Sequence, residues 1–255
     1  LVDPRLEVLG RRLSAVDGVI AVASGKGGVG KSVISTTIAL ALRGMGRRVG
    51  LLDLDLTGPS THLILGVEGV RPVEDRGIIP PKLHGISYMS VIFFSMDQPV
   101  PLRGADISNA IIELMAITRW GDLDYLVVDM PPGIGDEVLD VVRLMGGSHF
   151  LLVSTPSPLA IETVGKLLSL LLELKVPILG VVENMVTRPT AGVKGRLEVL
   201  GVPYLGAIGY DPELDEALGD VERLMGTRFA RDVERLAEEV ERRLNKINPE
   251  HERMK

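Results

Sequence analysis

Nonpolar residues in this chain gather in short solid runs, and between the runs they recur every three or four positions. In Val19-Ile20-Ala21-Val22-Ala23, Tyr125-Leu126-Val127-Val128 and Ile178-Leu179-Gly180-Val181-Val182 no position is charged. Runs without polar alternation read as strands covered on both faces. Strands are predicted near residues 18–23, 48–53, 86–92, 124–129, 149–154, 178–182 and 204–208, and helices near 31–43, 104–119, 136–146, 158–174, 192–200, 211–219 and 228–246. This alternation predicts parallel strands joined by right-handed helical crossovers. The expected class is α/β: a doubly wound, mostly parallel sheet in a three-layer α/β/α sandwich, with its ligand at the carboxyl ends of the strands.

Ahead of the first strand, Asp3-Pro4 is a helix-start signal, and Leu6, Leu9 and Leu13 follow at helical spacing until the Asp17-Gly18 turn. Residues 1–17 thus read as a lead-in helix. Residues 66–101 are irregular and rich in Gly and Pro, with an apolar hairpin-like portion around Ile86 to Phe94 that either decorates the sheet edge or bears a partner surface. Near the far end, Val233, Leu236, Val240 and Leu244 form a modest stripe among acids, read as a core face rather than a membrane-binding one. A length of 255 residues without internal repeats fits a single domain over 1–255.

Composition narrows the function classes. The apolar stretch Leu167 to Leu174 is interrupted by Ser169 and Glu173 and is too short to span a bilayer. Charged residues throughout positions 1–17 argue against a signal peptide there, so a cytoplasmic location is expected. A formal charge of −6 argues against general nucleic-acid affinity. With no cysteine, the chain offers no disulfide, thiolate metal site or cysteine nucleophile. His62, His84, His149 and His251 are scattered without metal-ligand spacing, and Trp120 reads as core or interface packing.

The strongest local signal is Gly25-Lys26-Gly27-Gly28-Val29-Gly30-Lys31-Ser32, which satisfies G-x-x-x-x-G-K-[ST] between an apolar strand and a helix. Its glycines let backbone N–H groups turn inward around phosphate oxygens, aided by the positive end of the following helix. Lys31 is expected to neutralise the β- and γ-phosphates of ATP, and Ser32 to offer its hydroxyl to Mg2+. Asp53, Asp55 and Asp129 stand at or just past strand ends, where carboxylates can reach a terminal phosphate or its magnesium shell, or act as turn and cap residues. Beyond Asp129, Pro131-Pro132-Gly133-Ile134-Gly135-Asp136 reads as a switch loop in which the Gly133 N–H can meet the γ-phosphate.

Three further blocks accompany that loop: Asp53-Leu54-Asp55-Leu56-Thr57-Gly58-Pro59-Ser60, Asp129 through Asp136, and Val181-Val182-Glu183-Asn184-Met185, with Arg103-Gly104 between them. Together they resemble the Mrp/ApbC family of P-loop ATPases, related to MinD, ParA and the nitrogenase iron protein. The resemblance implies a deviant Walker A motif in which Lys26 reaches the nucleotide of a facing subunit, and hence a homodimer. It also implies that Asp55 positions the attacking water, with Asp53 and Asp129 nearer the magnesium shell. Asn184 and the stretch Tyr210-Asp211-Pro212 are implied to flank adenine. Mrp/ApbC proteins act in iron–sulfur cluster assembly, and usually carry C-x-x-C after the Glu-Asn-Met block. This chain has Val186-Thr187-Arg188-Pro189-Thr190-Ala191-Gly192 there, so no cluster is expected on it alone. Gly209 replaces a proline frequent in relatives. The implied function is an ATP-hydrolysing dimer switch, with a cysteine-bearing paralogue or cluster-assembly protein as a further partner. A MinD/ParA-like positioning ATPase is the alternative, and a small-molecule kinase fits less well because no basic lid is visible.

Overall fold

Asp3 starts the first helix as its spacing predicts: its carboxylate accepts the Arg5 N–H at 2.9 Å, with Pro4 at the opening of the helix. The computed structural model describes residues 3–56, 58–95, 105–188 and 192–247. In it α1 (Pro4–Leu13) leads into β1 (Val16–Ser24), α2 (Lys31–Gly44), β2 (Val49–Asp53) and α3 (Thr61–Leu65). There follow β3 (Val73–Glu74), β4 (Ile78–Ile79), β5 (Lys82–Leu83), β6 (Ile86–Ser90) and α4 (Ile92–Ser95). The chain continues through α5 (Ala105–Ile117), β7 (Leu123–Asp129), α6 (Asp136–Leu144), β8 (His149–Ser154), α7 (Pro158–Glu173) and β9 (Ile178–Val186). It closes with α8 (Gly192–Leu200), β10 (Tyr204–Gly209), α9 (Leu214–Ala217), α10 (Val221–Met225) and α11 (Arg228–Ile247).

The main sheet has the order β10-β9-β8-β1-β7-β2-β6-β5, parallel except for the short edge strand β5. Successive strand residues point to opposite faces, which sorts the solid apolar runs into two cores. Val19, Ala21 and Ala23 of β1, Leu126 and Val128 of β7, and Phe150 and Leu152 of β8 join α1, α5, α6, α7 and α8 in one cluster. Ile20, Val22, Tyr125, Val127, Leu151 and Val153 join α2, α3 and α11 in the other. That is the three-layer arrangement the runs predict. Val233, Leu236, Val240 and Leu244 all lie inside the second cluster, so the α11 stripe is a core face.

After β1 the chain goes to β2, then out to the edge strand β5, turns back inward through β6 beside β2, returns to β7 between β1 and β2, and then crosses to β8 on the other side of β1. The order therefore reverses around β1, and the crevice at its carboxyl end is where such sheets bind ligands. The segment from 66 onward differs from a simple edge decoration. The hairpin turns at His84-Gly85, both at positive φ, and Ile86–Ser90 runs parallel to β2 as a wholly buried inner strand. The apolar run continues past Ser90 only because helix α4 follows directly. A second antiparallel pair, β3 with β4, lies apart from the main sheet. The helix predicted near 211–219 is regular only over Leu214–Ala217, because the Asp211 carboxylate holds the Glu213 N–H in a turn at 3.1 Å. Among the described residues no helix is long and apolar enough to cross a membrane.

Candidate functional site

The loop of residues 25–30 joins β1 to α2, and glycine is required at two of its positions. Gly28 has φ 76° and Gly30 φ 83°, left-handed conformations that side chains rarely adopt. Gly25 abuts α7 so closely that a Cβ there would lie 2.4 Å from the Thr163 carbonyl carbon. Asn184, near the end of β9, donates from Nδ2 to the Val29 carbonyl at 2.9 Å. Val29 itself is buried. The loop is therefore gripped from α7 and β9. Among the described residues none of the backbone N–H groups of Gly27 to Gly30 is spent on a hydrogen bond. Free amides at a helix N-terminus form an anion-binding concavity.

Behind the loop lies a buried ionic cluster. Lys31 Nζ is 2.8 Å from Asp129 Oδ1, with side chains 6% and 0% exposed. Ser32 Oγ donates to Asp129 Oδ2 at 2.6 Å, and Ser35 Oγ lies 2.9 Å from Oδ1. In the register of β2 with β7, Asp53 stands directly beside Asp129. Asp53 Oδ1 accepts the Asp55 N–H at 3.0 Å, while Oδ2 accepts the Thr61 N–H at 3.3 Å and the Thr61 hydroxyl at 2.6 Å. Burial first, then the Asp129 charge, pushes the Asp53 carboxyl up to about 7, against the opposing pull of Thr61, Lys31 and the Asp55 N–H. Asp55 Oδ1 accepts the Gly58 N–H at 3.1 Å, so this carboxylate folds over its own loop.

The donor set suits magnesium. Two carboxylates and a serine hydroxyl are all hard oxygen ligands, and such an ion usually completes its shell with phosphates and water rather than an all-protein cage. No group of three or more His, Cys, Asp or Glu side chains suited to a metal occurs among the described residues.

Other sequence-predicted residues occupy more varied positions. The Lys26 side chain is half-exposed and makes no ion pair among the described residues. Gly133, at φ 94°, donates its N–H to Ser24 O at 2.9 Å, which docks the switch loop against the end of β1. Asp211 is a helix cap: Oδ2 accepts the Phe229 N–H at 2.9 Å at the start of α11. Pro212 is exposed beside it. Thr57, Arg103, Gly104 and residues 189–191 lie outside the described residues. Sequence reasoning passed over Ser35, Thr61 and Tyr88. Ser35 was findable, since it follows Ser32 by three positions on the same helix face; Thr61 and Tyr88 carry no spacing signal.

Truncating the Asp211 cap by Asp211→Ala is expected to cost about 1 kcal/mol of stability. Its backbone hydrogen bonds, that of Phe229 foremost, hold the Asp211 pKa below the ordinary value. The contribution is therefore complete above the unfolded carboxylate pKa of ~4 and is lost as the pH falls through the lower folded value. Thermal melts of both proteins across acid pH should converge.

A model of the ParA group, described as the NUBPL iron-transfer P-loop NTPase, matches residues 15–244. The chain belongs to this family. An iron-sulfur cluster carrier protein of Pseudomonas fragi is 43% identical over 177 residues, covering 68% of this chain. The match spans 62% of that relative's length. The cytosolic Fe-S cluster assembly factor NUBP2 of Homo sapiens is 40% identical over 228 residues, 81% of this chain and 84% of its own. Among solved structures, a nucleotide-binding protein of Archaeoglobus fulgidus in complex with ADP superposes with a TM-score of 0.72 at 31% identity, covering 86% of this chain and 92% of its own. In this chain Lys31, Ser32, Asp53 and Asp129 converge beneath the loop of residues 25–30.

Proposed function

We propose that this chain binds MgATP through Gly25 to Ser32, hydrolyses it, and acts as a dimeric switch in iron–sulfur cluster assembly or transfer in the cytoplasm. The observation carrying this reading is the convergence of Lys31, Ser32 and Asp129 within direct contact, beneath a loop whose Gly27 to Gly30 amides make no hydrogen bond among the described residues. Triphosphate entering the loop would accept those amides and draw the Lys31 ammonium from Asp129 toward the β- and γ-oxygens. Ser32 and Asp129, with Asp53 behind them, would hold magnesium, which when bound neutralises charge on the phosphates. Asp55 orients the attacking water. The Gly133 N–H would exchange Ser24 O for a γ-phosphate oxygen and return on hydrolysis, moving the switch loop between two docked positions.

Adenine would sit between Asn184 and the Asp211-Pro212 turn. The carboxylate of Asp211 is occupied as a cap, so its part there is to shape the turn. Lys26, half-exposed and without an ion-pair partner among the described residues, suits a cation that reaches a facing subunit's phosphates. The names of the relatives support the iron–sulfur assignment. A chain without cysteine leaves cluster ligation to a partner, a cysteine-bearing paralogue or an assembly protein.

Steady-state hydrolysis and native mass test the reading together. The wild type should hydrolyse ATP only with magnesium and dimerise with a non-hydrolysable ATP analogue but not with ADP. Asp55→Asn should slow turnover by about 10²-fold while sparing nucleotide affinity. A monomer under both nucleotides would remove the dimer switch, and unchanged turnover in Asp55→Asn would remove the role given to that carboxylate.

A further inference from the structure

Asp53 does more than stand beside Asp129. Its Oδ1 takes the Asp55 N–H and its Oδ2 takes Thr61, so one carboxylate fastens both ends of the loop that carries Asp55. The Thr61 hydroxyl lies 2.9 Å from the Tyr88 hydroxyl on β6, and all three side chains are fully buried. Tyr88 is itself fixed: its strand runs beside β2, and Phe93 packs edge-on against its ring at 5.6 Å. If the Thr61 hydroxyl gives its proton to the carboxylate, Tyr88 must give its own to Thr61, and the chain of donors runs from the sheet to the loop. Within that loop Asp55 Oδ1 accepts Gly58 N–H, so its orientation depends on where the fastened ends hold it.

We infer that Thr61 and Tyr88 are positioning residues, a buried hydroxyl relay that clamps Asp53 and thereby sets the loop presenting Asp55 to the reacting water. This rests on the ATP-hydrolysing reading above. Neither side chain touches substrate in this scheme; each acts through Asp53. The clamp predicts a loss confined to the chemical step, because the phosphate loop and Lys31 stay where they are.

The test combines steady-state ATP hydrolysis with amide exchange of the peptide covering residues 53–61, for the wild type, Thr61→Val, Thr61→Ser and Tyr88→Phe, and for Thr61→Val placed on Asp55→Asn. Thr61→Val should lower kcat about tenfold with KM within about twofold, since small misplacement of a reacting group is costly. Tyr88→Phe should act in the same direction, Thr61→Ser should restore kcat, and exchange in the peptide should quicken in Thr61→Val. On the Asp55→Asn background Thr61→Val should cost nothing more, the non-additivity expected of one unit. Unchanged kcat and exchange, equal impairment by Thr61→Ser, or additive losses with Asp55→Asn would each overturn the clamp. Should Thr61→Val not fold, Tyr88→Phe and Thr61→Ser decide on the same two readouts. If the wild type hydrolyses no ATP, the proposed function falls, and the exchange rates still decide whether the relay holds the loop.

Discussion

Lys31→Ala is expected to abolish ATP turnover and, by a separate route, to destabilise the protein before nucleotide is added. The first effect follows from losing the cation that meets the β- and γ-phosphates, worth about 10²-fold or more in rate where a preorganised group stabilises developing charge. The second follows from Asp129, whose fully buried carboxylate keeps Ser32 and Ser35 but loses its only cationic contact among the described residues. Removing one member of a buried ion pair costs about 3 kcal/mol, which for a chain of this size lowers Tm by roughly 10 °C. The double variant Lys31→Ala/Asp129→Asn removes the stranded charge and should recover most of that loss without recovering turnover. Calorimetry without magnesium, beside a turnover assay, reads both effects. Retained turnover would remove Lys31 from the chemistry, and an unchanged Tm in the single variant would mean that the ion pair adds nothing to the fold.

The layers of this protein were legible because both cores draw on the same strands. A run such as Val19 to Ala23 has to be nonpolar at every position, as it supplies one cluster with odd residues and the other with even ones. The phosphate loop was legible for a related reason, since Gly28 and Gly30 occupy backbone conformations that few other residues tolerate. Asp53 and Asp129 could be placed at strand ends, and their register makes them neighbours. Thr61 and Tyr88 could not be found in this way. Threonine and tyrosine are ordinary strand and helix residues; the turn into α3 brings Thr61 back to Asp53, and only the pairing of β6 with β2 brings Tyr88 to Thr61. Ile86 to Phe94 misled as a hairpin because no glycine or proline separates the strand from the helix that follows. Only the family resemblance sets Asp211 beside the base; that its carboxylate also closes the start of α11, 18 positions away, is a contact no local pattern announces.

Gly25→Ala should be strongly damaging to the phosphate loop, although Gly25 has no left-handed backbone to protect. Its Cβ would meet three backbone atoms of α7: the Thr163 carbonyl carbon at 2.4 Å, its oxygen at 2.6 Å and the Val164 nitrogen at 2.6 Å. Backbone inside a 16-residue helix packed on the core has nowhere to go, so the loop must retreat. An ordinary contact begins near 3.4 Å, so the shift is about 1 Å, the displacement at which a positioned site loses about 10²-fold. Overpacking of this kind also costs about 1–3 kcal/mol of stability. Gly27→Ala is the matched comparison, because a Cβ there meets nothing within 4 Å; its Tm should stay at the wild-type value. Calorimetric titration with ADP and magnesium should then find weak or no binding to Gly25→Ala. Wild-type affinity in that variant would mean that the approach of β1 to α7 does not set the loop, and that its grip on phosphate comes from Asn184 and the α2 N-terminus alone.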